Sequence, residues 1–506
     1  NINHTKAEER SGLKIDGASG TFAMDNEKMT LDKFMVKTPQ STLNLDMAMD
    51  MNTFDIPARG KKAGQMNLDI DGIIGKRDIA MFAQEYYPDI SKSWPYKKLR
   101  LKTSVNGNMQ NMNVKHLEAF MDGVMDVKGN AELANLDRDD IKLNTSFDAK
   151  IYDTSFITPF IPDDMRQTVS IPKSINLVAD ARYDKDGIYA KAHGLTGNTS
   201  IDFDGNIDMN SEYYDIIADI RDFHLLDFLK DSPKLELTGK VSARGHGFDP
   251  FAATTVCNAD FNIQHVRYED YQLHDIDGTL SLADNILNAD ALCADQNLNA
   301  QIKAEGKLIE GIVDATANVN VIHSDIAALG LYEGELTIAT DGVFIVSSDL
   351  DSLFNITASI NHFDMHIDGD SLKTQQTELY AMSGVDSTIV DLHSGDLKLN
   401  FNSPHNIKTI LFKYEDTEEK VVRFAEMRKL NINFLKRHLP YAKLSVEMKQ
   451  DNPVWNFMRM NEMSFDSFSG DFSTDPINGL YGKMSLKNLM TDSISINEAQ
   501  VYLKHD

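Results

Sequence analysis

Three clusters of residue types in this sequence could do chemistry. His323, Ser324 and Asp325 are the residues of a nucleophilic triad, Asp46, Asp50, Asp69 and Asp71 are oxygen donors of the kind that hold calcium, and Cys257 and Cys293 are the two thiols. Each has a plainer reading. Three consecutive residues cannot reach triad geometry, in which the base bridges groups brought from different parts of a fold, and Asp325 stands before Ile326-Ala327-Ala328-Leu329 as a cap stands before a turn of helix. The aspartates alternate with apolar residues and lack the spaced Asp/Asn loop closed by a bidentate Glu, so they read as the wet side of strands. The cysteines have no metal spacing, and each lies on the apolar side of an alternating stretch, beside Ala259 and Phe261 or beside Ala291. Two readings of them stay open: buried free thiols, or one disulfide made in an oxidising compartment. G-x-S-x-G, H-E-x-x-H, C-x-x-C and G-K-S/T do not occur. The residues thus point to no catalytic centre, no metal site and no cofactor, and the expectation is a protein that is not an enzyme.

Composition narrows the class further. The 506 residues are 42% hydrophobic and 25% charged with only 13 prolines, which excludes a disordered chain. No apolar run approaches the roughly 18 residues of a membrane-spanning helix. A net charge of −27 leaves no basic face for displacing counterions from a polyphosphate, so nucleic acid is not an expected partner. The sequence opens on Asn1-Ile2-Asn3-His4-Thr5, without an initiator methionine or a basic-then-apolar signal, and closes on the strand-like Val501-Tyr502-Leu503-Lys504. The expectation is a piece of a longer protein whose anchor or export signal lies upstream.

The elements that position these residues have a period of two. Leu43 to Met51 alternates apolar and polar, and the same alternation recurs at Ile201/Phe203, Leu235/Leu237, Leu280/Leu282, Leu298/Ala300/Ile302, Val319/Val321, Leu397/Leu399/Phe401 and Leu444/Val446/Met448. Asp71-Gly72, Asn106-Gly107, Asp204-Gly205, Asp277-Gly278, Asp341-Gly342 and Asn478-Gly479 read as tight hairpin turns between such strands. Four strands run into a short apolar turn of helix, at 78–82, 155–157, 225–228 and 325–329. The fold expected is all-β: an elongated antiparallel β-groove of repeating hairpin modules. About 30 strands at about 4.8 Å each would extend on the order of 140 Å. Stacked modules fill 1–403, with ends near 90, 165, 232 and 332, and further groove strands fill 441–506.

Residues 404–440 depart from this pattern. Ile407, Ile410, Leu411, Tyr414, Val421, Phe424 and Ala425 share a helical face that continues to Leu439, giving a longer helix near 404–438 before Pro440 stops it. Eight Lys/Arg stand there against five Asp/Glu. The segment reads either as a helix packed over the end of a sheet or as a docking surface for a partner or for anionic headgroups.

The C-terminal run carries a resemblance. SPHNIKTILFKYEDTEEKVVRF, NFLKRHLPYAKLSVEMKQDNPVWNF and DFSTDPINGLYGKMSLKNLMTDSISI resemble the middle of TamB-type translocation and assembly proteins of Gram-negative bacteria, in the TamB/AsmA-like superfamily. The likeness covers about the last hundred residues in detail and the rest in style. It implies a β-taco trough in the periplasm that is anchored to the inner membrane. It also implies an outer-membrane barrel partner of the barrel-assembly type, met through parts outside this sequence.

Resemblance and periodicity together set the functional expectation. A sheet with one apolar face must cover it, and a phospholipid tail laid there gains about 0.8 kcal/mol per buried CH₂. The inward positions Leu45, Met47, Met49, Ile201, Phe203, Leu237, Phe261, Leu282, Ile302, Val321, Leu399, Phe401 and Val446 are the expected groove lining, and the 23 methionines suit either irregular guests or ordinary core. The expected function is lipid transport between inner and outer membranes in support of outer-membrane biogenesis and protein secretion. Two other readings stay open: a strand-addition chaperone for outer-membrane proteins, and a structural scaffold or adhesin. Ser352, Ser387 and Ser493 follow Asp and precede Leu, Thr or Ile, a short pattern that some Gram-negative bacteria O-glycosylate.

Overall fold

The computed structural model describes residues 2–8, 14–53, 63–85, 87–108, 110–136, 138–162, 164–374, 376–412, 440–475 and 479–505. Strand dominates, with 29 strands among those residues and only short helical segments between them. The chain divides into two compact units, the first Asn1–His246 with Ile263–Glu269 and the second Gly247–Asn262 with Asp270–Asp506.

In the first unit the strands from Ile2–Glu8 to Leu235–His246 each pair antiparallel with the next in sequence. The second unit repeats this meander from Tyr271–Ala283 to Ser495–His505. One strand there, Phe354–Ile367, takes both Asp370–Lys373 and Thr377–Ser383 along one edge. Register follows from the alternation. Met47 lies opposite Leu31 and Leu68, and a slip of one residue would turn Asp46 and Asp69 to the apolar side. Bulges interrupt the ladders where side chains can take up the freed backbone groups. Lys33, at φ 47°, donates its N–H to Asp46 Oδ1 at 2.7 Å, and Asp222, also at φ 47°, donates to Thr238 Oγ1 at 3.0 Å.

The Asp-Gly pairs correct the turn reading. Asp71-Gly72, Asp204-Gly205, Asp277-Gly278 and Asp341-Gly342 lie inside strands, Gly107 ends one, and Asn478 is outside the described residues. Glycine is needed in these strands because something occupies the space of its side chain: a Cβ at Gly205 would fall 2.5 Å from Cζ of Phe203. The tight turns are elsewhere, at Asp284-Asn285 (φ 52° and 61°), Glu310-Gly311 (52° and 80°) and Asp368-Gly369 (47° and 90°), where two successive positive φ angles match strand twist.

The short helical turns stand where the sequence places them. They are Lys76–Ala83, Ser155–Phe160, Leu225–Asp227, and a turn after Asp325, whose Oδ1 accepts the Ala328 N–H at 2.9 Å. Two helices were not read from sequence, Ile90–Ser93 and Pro453–Met460, the latter capped by Asn452, which accepts the Trp455 N–H at 2.9 Å. Of the expected helix near 404–438, residues 407–412 are helical and capped by Asn406, which accepts the Thr409 N–H at 2.8 Å. The remainder, 413–439, lies outside the described residues.

A closed core sits at one end of the first unit's strands. Ile90, Trp94, Leu99, Met121, Val124 and Phe156 are all buried there. Trp94 meets Phe156 edge-on at 5.4 Å, and Tyr87 meets Phe160 at 4.7 Å.

Candidate functional site

Residues directly opposed across an antiparallel ladder share a face, so register alone traces what each unit presents. In the first unit Leu45 lies opposite Phe34 and Ile70, and Ile70 opposite Thr103. The same row runs on through Leu117, Gly129 and Phe147 to Ala179, Ala192 and Phe203. Met47, Met49 and Ile201 sit on this face at even spacings along their strands. Leu237 joins it two residues from Gly239, which opposes Ile220, itself opposite Ile201. The other face carries an alternation of charge across strands, Lys102, Glu118, Lys128 and Asp148.

The second unit has its own apolar face. Ile302 lies opposite Ala291 and Val319, and Val321 opposite Ala300. Leu282 opposes Leu287, which in turn opposes Gly306 on the same strand as Ile302. Leu399 opposes Leu392 and Val446, and Phe401 opposes Val390 and Leu444. Phe261 belongs to the same face because its ring covers Gly278, the residue opposite Ala291. The lining positions named from sequence therefore share one face within each unit. They differ in depth. Leu282 is buried at 5% exposure, Ile302 is 45% exposed, and the others are half-buried.

Three rings take the space that a side chain would need at a strand glycine: Phe203 at Gly205, Phe261 at Gly278, and Phe472 at Gly470, where Phe468 also approaches. Sequence reasoning missed this, although its signal was present as Phe203-Asp204-Gly205 and Gly470-Asp471-Phe472. It also missed apolar side chains on the charged face of the first unit, where Val178 and Ile217 are 49% and 40% exposed. A cavity of about 700 Å³ takes in Asn67, Asn106, Asn113, Glu132 and Asn144, one row across the strands, together with Met112, Leu133 and Leu143.

Electrostatics on the polar faces are those of solvated cross-strand pairs. Lys191 and Asp204 meet at 3.1 Å, and the hydrogen bond to Asp204 holds the lysine above its ordinary pKa. Arg244 reaches Asp215 at 2.6 Å, and His362 meets Asp341. Pairs this exposed are screened by solvent and contribute little to stability. Asp295 is buried, which pushes its carboxyl up, yet hydrogen bonds from the Asn297 N–H and from His274 outweigh that and hold it below the usual range.

The groups with chemical potential stay apart. Ser324 is buried beside an exposed His323, and among the described residues no three His, Cys, Asp or Glu side chains gather as metal ligands would. Cys257 and Cys293 are both free, and burial pushes the Cys293 thiol up. Ser352 and Ser387 are half-buried in turns, Ser352 donating to Asp349 Oδ2 at 3.2 Å, while Ser493 is exposed. No family model, curated protein or solved structure matches the chain.

Proposed function

We propose that the protein holds lipid tails against these apolar faces, as part of a TamB/AsmA-like bridge in the periplasm of a Gram-negative envelope. In this reading it carries phospholipid between the inner and outer membranes and supports outer-membrane assembly, with membrane anchor and outer-membrane barrel partner engaged through other parts of a longer protein. The observation that carries the reading is the half-open apolar face. Side chains such as Ile302 and Phe472, 45% and 40% exposed, present hydrocarbon that a tail would cover.

The mechanism needs no nucleophile and no nucleotide. Tails lie along the face and each buried CH₂ contributes about 0.8 kcal/mol, while the headgroup stays in water. Rows of Ala, Val and Leu give neighbouring positions similar affinity, which is what sliding requires. Native mass spectrometry of the purified protein is expected to find bound phospholipid. Phe261→Asp and Leu399→Arg place a charge where a tail must lie, at a cost of several kcal/mol to the lipid. Both variants should keep normal abundance and protease resistance, lose lipid crosslinking and weaken the outer-membrane barrier. Folded variants that retain full lipid occupancy and an intact barrier would overturn the proposal.

A further inference from the structure

The apolar face of the first unit runs beneath a helix. Between Lys76–Ala83 and the strands lies a chamber of about 640 Å³, walled by Ile15, Val36, Leu43 and Ile74 below and by Ile79 and Ala83 above. Leu43 opposes Val36, and Ile74 opposes Leu99, so the floor continues the face that carries Leu45 and Met47. The roof is fastened at its start. Thr38 Oγ1 donates to Asp78 Oδ2 at 2.5 Å, Ser41 Oγ donates to the same carboxylate and accepts the Gly75 N–H at 2.9 Å, and Gln40 Oε1 accepts the Arg77 N–H at 3.0 Å. The three polar side chains of the wall, Thr38, Ser41 and Asp78, are thereby engaged with one another, and the remaining wall is hydrocarbon apart from the Tyr87 hydroxyl.

The mouth has a different chemistry. Phe82 and Tyr87 line the chamber while being 70% and 40% exposed, so they stand at its opening. Tyr96 is 92% exposed, with Lys76 Nζ 3.9 Å from its ring centre. Residues 76–98 hold five Lys/Arg (Lys76, Arg77, Lys92, Lys97, Lys98) against three acids, in a chain of net charge −27; one of those acids, Asp78, is buried in the wall, while Lys92 pairs with Asp89 at 3.2 Å and Lys97 with Asp122 at 3.3 Å. Exposed aromatic rings among cations are the chemistry of a surface that meets anionic headgroups. A chamber of this size falls in the range of about 300–1,000 Å³ that encloses small ligands.

We propose that this chamber takes one acyl chain of an anionic phospholipid from a bilayer, with the headgroup held by the basic rim, making it a loading position for the face beyond. The inference rests on the lipid-holding function above and adds a place of entry. The test uses the whole chain with phosphatidylglycerol-rich vesicles. Ala83→Trp fills the chamber without adding charge and is expected to remove one lipid per chain in native mass spectrometry, the other bound lipids remaining. Phe82→Trp, at an already exposed position, is expected to show emission quenched by vesicles whose acyl chains carry bromine. Arg77→Glu with Lys98→Glu is expected to weaken binding to these vesicles about tenfold and leave pure phosphatidylcholine vesicles unaffected. A folded Ala83→Trp chain with the wild-type lipid count, or an unquenched Phe82→Trp, would overturn the chamber, and charge reversal without effect would overturn the bilayer as its source. Absence of any lipid on the wild-type chain would instead remove the function on which the inference rests.

Discussion

Two apolar regions built from the same residue types differ in what covers them. At the end of the first unit, Ile90, Trp94, Met121, Val124 and Phe156 are each under a tenth exposed, because the segments 76–85, 87–94 and 155–160 fold back over the hairpin that joins Met121 to Met125. On the face of the second unit, Ile302 is 45% exposed and Val319 and Leu399 are half-buried, with hydrocarbon still in reach of solvent. The covered region spends its apolar surface on stability. The open one keeps much of that surface available for a guest, so the same substitution chemistry should read out as unfolding in one place and as lost binding in the other.

The largest effect should come from the covered region. Phe156→Ala leaves a cavity under Trp94, and a loss of about 3–5 kcal/mol is expected in urea unfolding followed by Trp94 fluorescence, with Trp455 replaced by Phe to silence it. A loss below about 1 kcal/mol would show that this core does not anchor its unit.

A second test concerns a polar clasp in the unit with the open face. Asp396 accepts the N–H groups of Lys449, Gln450 and Asp451 at 2.9, 3.0 and 3.0 Å and the Asn452 amide at 2.7 Å, fixing the chain that starts the helix Pro453–Met460. Burial pushes its carboxyl up, and these hydrogen bonds more than reverse that, leaving it below the ordinary value. A folded pKa below the unfolded one contributes stability that is present above about pH 3.9 and is lost as pH falls through the folded value. Asp396→Asn is expected to cost about 1–2 kcal/mol at neutral pH and to reduce the loss of stability on acidification, measured by denaturation at a series of pH values.

Ile302→Asp sharpens the contrast most directly. At an open position its cost in stability should be about 1 kcal/mol or less, while lipid crosslinking at that point is lost. If it unfolds the protein as Phe156→Ala does, the two regions are alike and the face is a core. The smallest effect is local. Asp349, half-buried in a turn, accepts the N–H groups of Leu353, Asp351 and Ser352, which lower its carboxyl to about 2. A carbon-detected titration should find that value, and an ordinary one would show that the turn holding Ser352 is not formed.

Much of the fold was legible because a period of two is a local property. Thr42–Asp50 reads as a strand with Leu45, Met47 and Met49 on one side, and the ladder only had to align that side with its neighbours. The apolar turns at 78–82 and 155–157 were legible for a similar reason, since a helical run of apolar residues differs in period from the strands around it. Pro453–Met460 was not read, although Asn452-Pro453 is a cap followed by a first-turn proline, because its Val454, Trp455 and Phe457 also suit a strand. The Asp-Gly pairs misled because the dipeptide favours a turn only when nothing else claims the space of the missing side chain.

The sequence by itself determined that this protein is built of strands, which side of each strand is apolar, and that the chain is strongly acidic. Tertiary structure alone decided what those sides meet. Leu282 and Ile302 obey the same alternation, yet one is buried and the other open, because exposure depends on what packs above a residue rather than on its place in a repeat. Gly278 is a strand residue and not a turn because Phe261, seventeen positions earlier, lays its ring there. The chamber under Lys76–Ala83 exists because side chains of residues 38–41 fasten a helix more than thirty positions later. Alternation is set by neighbours in sequence, whereas burial, roofing and close approach are set by neighbours in space, and only folding brings those together.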